Sequence, residues 1–365
     1  MRFICFFLLL SIEIQAQSLF DDTYIEASVF RGNIYKHTDD ISHLITGHPE
    51  GVLISLNQRT YGKNEWEHAY NYPDYGMSFQ YQDLKNTYLG EAYALALHYN
   101  FYFLKRNLVF RISQGIGVTT NPYDRETNHK NNAFGSRLMS SNLFLLQYKK
   151  ENIIDRIGIQ AGIVFTHFSN GRVKSPNSGI NTYALNLGVN YNLDNIKPLL
   201  PDSITDSVGK SYRENIKLNV AFRGGISESS VVGMGQKPFY HFGVYVDKRL
   251  GRKSAIQLGA DLFLSQYLKE YIRFSSVAFP NKPYLDPDTD YKRIGVFVGH
   301  ELFINKLSIE TQFGYYVYKP FKYEIDVYQR VGLKYYLGTK IFTGIGLKTH
   351  GARAEAIEGT IGMRI

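Results

Sequence analysis

The sequence predicts an all-β protein, a transmembrane antiparallel β-barrel of roughly 12–14 strands. Three observations indicate this class. Segments of about ten residues with alternating apolar and polar positions repeat from about Gly51 to the end of the chain. Short and long connections alternate between them. The 365 residues include 29 Tyr and 24 Phe, while mean hydropathy is slightly negative. This combination is typical of strands with one lipid face and one lumen face.

The N-terminus has the pattern of a secretory signal peptide over residues 1–16. Arg2 supplies the basic start, an apolar run follows, and the small residue Ala16 ends the segment. Residues 17–50 are interpreted as an N-terminal lead-in, and residues 51–365 as an outer-membrane β-barrel. The single cysteine, Cys5, lies inside the signal segment, so the exported chain is expected to fold without disulfides.

The strand pattern yields fifteen candidates. A closed single-chain barrel of this kind has an even number of strands, so fifteen cannot all belong to one barrel. The segment 52–60 is the first to be left out. The candidates are 52–60, 75–82, 88–104, 107–118, 137–149, 155–168, 180–193, 215–227, 239–249, 254–267, 292–304, 306–318, 325–337, 340–348 and 355–365.

The connections assign a side to each strand end. Tight turns at 104–107, 149–155, 249–253, 304–307 and 337–340 are expected on the periplasmic side. Long loops are expected on the cell exterior, at 119–136, 169–179, 228–237, 268–291, 319–324 and 349–354. The connection 194–214 breaks this rule, because it is long on the short-turn side. The strand that follows the 149–155 turn therefore ends at the external rim.

That strand carries the candidate chemistry. Ile157, Ile159 and Ile163 share one face, and the two-residue period places His167 and Ser169 on the same apolar face. Their Cα atoms are expected about 6 to 7 Å apart. An imidazole at this separation accepts the proton of a hydroxyl that attacks an acyl carbon. The alternative is an interfacial histidine that binds lipid headgroups.

The residues that follow supply the rest of the candidate site. By strand parity Asn181 is expected to face outward opposite His167, in a position to hold the other ring nitrogen. The loop residues Asn170, Gly171 and Arg172 are candidates to donate backbone N–H groups to an oxyanion. Arg172 and Lys174 are weaker candidates for lipid phosphates, because basic loop residues are more often simply solvated.

The run THFSNGRVKSPNSGIN, residues 166–181, resembles the signature of PagL-type lipid A 3-O-deacylases. In that family a His–aromatic–Ser–Asn run is followed by a Pro–Asn–x–Gly turn. Stretches beginning at Trp66, Gly115 and Leu347 resemble the longer members of the acyloxyacyl hydrolase group. The resemblance covers most of residues 50–365, and its specificity depends on 165–181.

The resemblance implies a β-barrel in the outer membrane that hydrolyses an ester-linked acyl chain of lipid A. It implies Ser169 as nucleophile, His167 as base and Asn170 as a residue that shapes the oxyanion site. Asn177 matches an asparagine in the family's turn. The expected partners are the membrane and lipid A or lipopolysaccharide of its outer leaflet, and the expected localisation is the cell outer membrane.

One position departs from the family. Asn181 stands where the family has a catalytic glutamate. An amide orients an imidazole but does not stabilise its cation as a carboxylate does. Slower turnover, an inactive relative, or a carboxylate recruited from elsewhere follow as alternatives, with Glu126 and Glu301 as candidates for the last.

Other functions are weighed against this one. The ten histidines show no metal-ligand spacing, so no metal site is predicted, and the esterase chemistry requires no cofactor. Nucleic acid is an unsuitable partner for an exported barrel despite the net charge of +8. Two rivals remain: a structural or channel barrel with a wide lumen, and another lipid-acting barrel enzyme, a phospholipase or an acyltransferase. The sequence does not indicate an oligomeric state.

Overall fold

The computed structural model describes residues 21–200, 214–279, 285–351 and 353–365. The predicted signal peptide at 1–16 lies outside them. The chain forms two compact units, and each contains a closed antiparallel barrel of eight strands. The first unit comprises residues 21–133, 137–169 and 178–200, and the second comprises 134–136, 170–177 and the described residues from 214 onward.

The first barrel is formed by eight strands in sequence order and is closed by the pairing of its first and last strands. These strands are β1 (Thr23–Ile34), β2 (Glu50–Gln58), β3 (Asp74–Asp83), β4 (Glu91–Phe103), β5 (Leu108–Thr119), β6 (Leu138–Ile154), β7 (Ile157–Ser169) and β8 (Ile180–Asn192). A 3₁₀ helix, Asp39–Leu44, follows β1, and helix α1, Glu65–Ala69, follows β2. Closure runs from Tyr24 opposite Asn192 to Ile34 opposite Thr182.

The two faces of this barrel wall differ in chemistry. Outward side chains on β8 such as Leu185, Leu187 and Val189 are exposed apolar groups, as a lipid-facing wall requires. Inward side chains are polar and buried. Arg111 pairs with Glu26 inside the barrel and donates to Asn100 Oδ1 at 2.7 Å. Eight strands leave an interior that side chains fill, so this lumen is a packed polar core.

The second barrel has the same order and is closed by β16 on β9. Its strands are β9 (Lys217–Ser227), β10 (Lys237–Arg249), β11 (Ser254–Ser265), β12 (Arg293–Ile304), β13 (Leu307–Tyr318), β14 (Val327–Leu337), β15 (Ile341–His350) and β16 (Arg353–Arg364). Helix α2, Gln266–Ala278, follows β11. Outward positions such as Val244, Leu258 and Val298 are exposed, and the lumen is filled by charged and aromatic side chains.

The structure confirms the all-β antiparallel barrel class and corrects the strand number. All fifteen candidate segments correspond to β2–β16, but the described residues form sixteen strands in two barrels, not 12–14 in one. The missing strand is β1, which lies in the predicted lead-in at 17–50. Its Ile25 and Val29 alternate with Tyr24 and Glu26, so the strand signal was present there.

The connection 194–214 lies between β8 and β9, the last strand of one barrel and the first of the next. Its anomalous length therefore reflects a boundary between two closed sheets. Residues 201–213 lie outside the described part of the chain. Within that part, no helix combines the length and the apolar character needed to cross a membrane.

In each barrel the odd-numbered strands run toward one end, called here the long-loop end. In the first barrel the connections 35–49, 84–90, 120–137 and 170–179 lie there. The opposite end has the tight connections 104–107 and 155–156, but also the longer 59–73. Since β7 runs toward the long-loop end, its last residues lie at that rim.

Candidate active site

The side-chain phase predicted for β7 is confirmed. Ile157, Ile159 and Ile163 are 48, 55 and 56% exposed on the outward face of the wall. His167 and Ser169 continue this two-residue period, so they face outward at the long-loop end. His167 is half-buried, and Ser169 is 7% exposed. The imidazole and the hydroxyl thus interrupt an apolar surface.

Three side chains form a continuous hydrogen-bonded relay. Ser169 Oγ lies 2.9 Å from His167 Nε2. His167 Nδ1 lies 2.6 Å from Asn181 Oδ1 across the β7–β8 pair, in which the two residues stand directly opposite each other. An amide oxygen only accepts, so Nδ1 carries the proton and Nε2 presents its lone pair to the hydroxyl. This is the tautomer that a general base for Ser169 requires.

The neighbouring strands add polar groups that the sequence pattern did not single out. Asn142 stands opposite His167 and Ser140 opposite Ser169 on β6. Gln114, on β5, donates from Nε2 to Ser140 Oγ at 2.9 Å. All share outward parity, so a polar strip crosses β5–β8 within the apolar wall. Pairing each strand with its neighbour at the level of His167 would have identified them.

Gly179 allows the chain to pass close to the relay. Its φ of +69° is a left-handed conformation that favours glycine. A Cβ at this position would lie 3.1 Å from Ser169 Cβ and 3.3 Å from His167 Cε1. The glycine of the Pro–Asn–x–Gly turn therefore keeps side-chain atoms away from the hydroxyl and the imidazole.

The residues predicted to support an oxyanion lie in the segment 170–177, which belongs to the second unit. Asn170 donates its backbone N–H to Asn177 Oδ1 at 2.8 Å, and Arg172 donates its own to Asn170 Oδ1 at 2.9 Å. The side-chain nitrogen Nδ2 of Asn170 donates to the carbonyl of Lys174 at 2.7 Å. These bonds hold the segment in a fixed shape that includes the left-handed Gly171. Its oxyanion role stays a prediction.

Arg172 does not have the surroundings expected of a phosphate ligand. Its guanidinium is buried in the second unit, 3.1 Å from Glu324 Oε1 and 2.7 Å from the hydroxyl of Tyr267. Burial raises the pKa of Tyr267, and nearby Glu355 raises it further, so this phenol stays protonated. The phosphate role proposed for Arg172 is corrected, because the guanidinium is already paired. Lys174 is exposed.

The prediction that Glu126 or Glu301 supplies the missing carboxylate is also corrected. Glu301 is buried in the second barrel, where its carboxylate binds Lys334 at 2.8 Å and Ser308 at 2.5 Å. Glu126 lies exposed in its loop, where its backbone N–H donates to Asp124 at 2.9 Å. Within the described residues, the side chain that hydrogen-bonds to His167 Nδ1 is that of Asn181.

A second series of hydrogen-bonded side chains, which ends in a carboxylate and not in an amide, lies inside the second barrel. His241 contacts Ser265 Oγ through Nε2 at 3.1 Å and Glu358 Oε1 through Nδ1 at 2.6 Å. Ser265 is 1% exposed and also accepts from Arg293 at 3.1 Å. A hydroxyl enclosed in this way does not meet a substrate, so this series belongs to the polar packing of the lumen.

Two family models match the chain. One, described as lipid A 3-O-deacylase (PagL), matches residues 50–190, and the other, described as acyloxyacyl hydrolase, C-terminal domain, matches residues 216–365. The chain belongs to the PagL-type lipid A deacylase family. The deacylase match of this PagL-type chain includes Ser169, His167 and Asn181, and the C-terminal match covers the second barrel.

The PagL-type chain also matches solved outer-membrane barrels. A mutant of Rhodopseudomonas blastica porin is 8% identical, with 94% of this chain and 99% of the porin covered and a TM-score of 0.20. The Acinetobacter baumannii outer membrane protein Omp33 is 9% identical, with 94% and 98% covered and a TM-score of 0.19. No curated protein matches the sequence.

Proposed function

We propose that this protein is an outer-membrane serine esterase that removes the 3-O-linked acyl chain from lipid A in the outer leaflet. The observation that carries the proposal is the Ser169–His167–Asn181 relay on the outward face of the first barrel. A polar relay within an apolar wall is costly in lipid and tends to mark function. The family model whose description names 3-O deacylation matches residues 50–190, which contain this relay.

The position of the relay suits a lipid substrate. Lipid A diffuses laterally in its leaflet, so an outward site at the rim meets the ester while the acyl chains remain in hydrocarbon. The exposed Ile159 and Ile163 on the same face provide the apolar surface for those chains. The exposed Lys174 remains a candidate for a lipid phosphate.

The reaction follows from the protonation states in the relay. Ser169 Oγ attacks the ester carbonyl as its proton passes to His167 Nε2. The tetrahedral intermediate then collapses, and the same proton goes to the departing 3-hydroxyl oxygen of the sugar, which leaves an acyl-enzyme. Water attacks this ester, with His167 again accepting and returning the proton, and the fatty acid is released.

The negative charge on the intermediate needs hydrogen-bond donors. Of the segment 170–172, Asn170 and Arg172 already donate their backbone N–H groups to side-chain oxygens within the segment, so Gly171 is the predicted donor that remains. Asn142 is a second candidate, because it faces outward directly opposite His167 on the adjacent strand. Its amide nitrogen makes a long contact of 3.4 Å with Ser140 Oγ.

Mass spectrometry of lipid A tests the reaction class. Cells that express the wild-type protein are expected to contain lipid A lacking one 3-O-linked acyl chain, with the corresponding free fatty acid released. Lipid A that gains a chain indicates an acyltransferase, and unchanged lipid A with lysophospholipid indicates a phospholipase. Unchanged lipid A and phospholipid would contradict enzymatic activity on either lipid.

Asn181→Glu is expected to raise kcat by about tenfold or more. A carboxylate orients the imidazole as the amide does and in addition stabilises its cation in the transition state. Initial rates of fatty-acid release from lipid A in detergent measure the change. Asn195→Glu, at an exposed position in the connection after β8, introduces the same side chain away from the relay and serves as the control. A lower rate for Asn181→Glu would show that the amide itself is required.

A further inference from the structure

We propose that His37 is a positioning residue of the reaction, which fixes the side-chain amide of Asn181 so that the relay adopts its productive tautomer. This inference rests on the proposed function. His37 lies in the exposed connection after β1, three residues beyond the last residue of that strand. Strand closure brings it to Asn181, because Tyr35 donates its backbone N–H to the Asn181 carbonyl at 2.8 Å.

An asparagine in a relay has an orientation problem that a glutamate does not. Both oxygens of a carboxylate accept hydrogen bonds, whereas a side-chain amide has one acceptor and one donor end. If the amide nitrogen of Asn181 faced His167, it would donate to Nδ1. The imidazole proton would then lie on Nε2, and the ring would have no lone pair for Ser169.

The contacts of His37 select the productive orientation. Its Nε2 lies 2.9 Å from the carbonyl of Ser178, which only accepts, so Nε2 carries the proton. In the neutral ring Nδ1 is then an acceptor, and Asn181 Nδ2 donates to it at 3.2 Å. With its nitrogen so engaged, Asn181 presents Oδ1 to His167 Nδ1 at 2.6 Å.

The five groups therefore form one chain with a consistent direction. Ser169 donates to His167, His167 to Asn181, Asn181 to His37, and His37 to the Ser178 carbonyl. This sequence of donors and acceptors is complete, with each ring carrying one proton. The carbonyl oxygen of Tyr35 lies farther from His37 Nδ1, at 3.4 Å, than Asn181 Nδ2 does at 3.2 Å.

The size of the effect follows from the tautomer. In serine proteases, an amide that stabilises the wrong tautomer lowers kcat by about 10⁴-fold. Loss of the His37 contact frees the Asn181 amide to turn without forcing it, so a smaller loss is expected. His37→Ala is expected to lower kcat by about tenfold or more, with KM little changed, because His37 acts through Asn181 and not on the lipid.

Two further variants distinguish orientation from a general structural role. His37→Gln keeps one acceptor and one donor and is expected to retain more activity than His37→Ala. Asn181→Asp places a carboxylate of the same shape at position 181, which needs no orientation. The double variant His37→Ala/Asn181→Asp is therefore expected to match Asn181→Asp alone.

The measurements are kcat and KM for fatty-acid release from lipid A, with folding of each variant checked by the heat-dependent shift of the barrel on SDS gels. Wild-type kcat in a folded His37→Ala protein, alongside an inactive Ser169→Ala protein, overturns the role of His37 and leaves the esterase proposal intact. An equal loss from His37→Ala in the Asn181→Asp background also overturns it, because the effect would then not pass through the amide. An active Ser169→Ala protein overturns both.

Discussion

Ser169→Ala is expected to abolish acyl loss from lipid A, lowering kcat/KM by at least about a thousandfold. The hydroxyl at 2.9 Å from His167 Nε2 is the group that forms the acyl-enzyme, and alanine provides no nucleophile in its place. Residual activity would come only from substrate binding and oxyanion stabilisation. Mass spectrometry of lipid A and initial rates of fatty-acid release measure the loss.

The second barrel offers a matched control for this experiment. Ser265 also contacts a histidine Nε2, at 3.1 Å from His241, but it is enclosed in the lumen. Ser265→Ala is expected to leave kcat/KM within about twofold of the wild type, provided that the barrel folds. A folded Ser169→Ala protein that still removes an acyl chain would exclude the outward relay as the catalytic site. Loss of activity in a folded Ser265→Ala protein would instead assign a role to the lumen series.

The outward relay was predictable because strand parity is a local property. Ile157, Ile159 and Ile163 define the phase of β7, and it carries directly to His167 and Ser169 within a few residues. Asn181 followed from the same argument applied across one hairpin. Such short-range patterns need no knowledge of how the sheet closes.

Features set by closure were not predictable in this way. His37 is 144 residues from Asn181 in sequence, and the two meet only because β1 pairs with β8. Similarly, alternation shows that a segment is a strand but not which partner closes the barrel. The division into two eight-stranded barrels therefore left one visible sign in the sequence, the long connection at 194–214 on the short-turn side.

The burial of Arg172 was also beyond the sequence pattern. An arginine in a polar loop beside a serine indicates a solvent-facing cation, and lipid phosphate is a reasonable partner for it. In the structure, Glu324 and the Tyr267 hydroxyl bind the guanidinium instead. These partners lie 152 and 95 residues away along the chain, so no local spacing relates them to Arg172.

Glu355→Gln is expected to destabilise the second barrel by about 3–5 kcal/mol. Glu355 is fully buried in the lumen, where its carboxylate pairs with both Arg293 and Lys348. It also accepts from the Tyr267 hydroxyl at 3.1 Å. A glutamine has no charge to offset two enclosed cations, and breaking a buried pair on one side leaves the other charge uncompensated. Urea unfolding in detergent, followed by the shift on SDS gels, measures the change.

The same substitution at an exposed pair separates burial from loss of charge. Glu50 lies 2.6 Å from Lys85 in the first unit, with side chains 45 and 37% exposed, so Glu50→Gln is expected to change stability little. A wide, water-filled lumen would screen the Glu355 pairs as solvent screens the Glu50 pair, and the two variants would then unfold alike. That outcome would favour the channel rival, which needs such a lumen. A selective loss for Glu355→Gln would instead show that the charges of the second barrel act as its core.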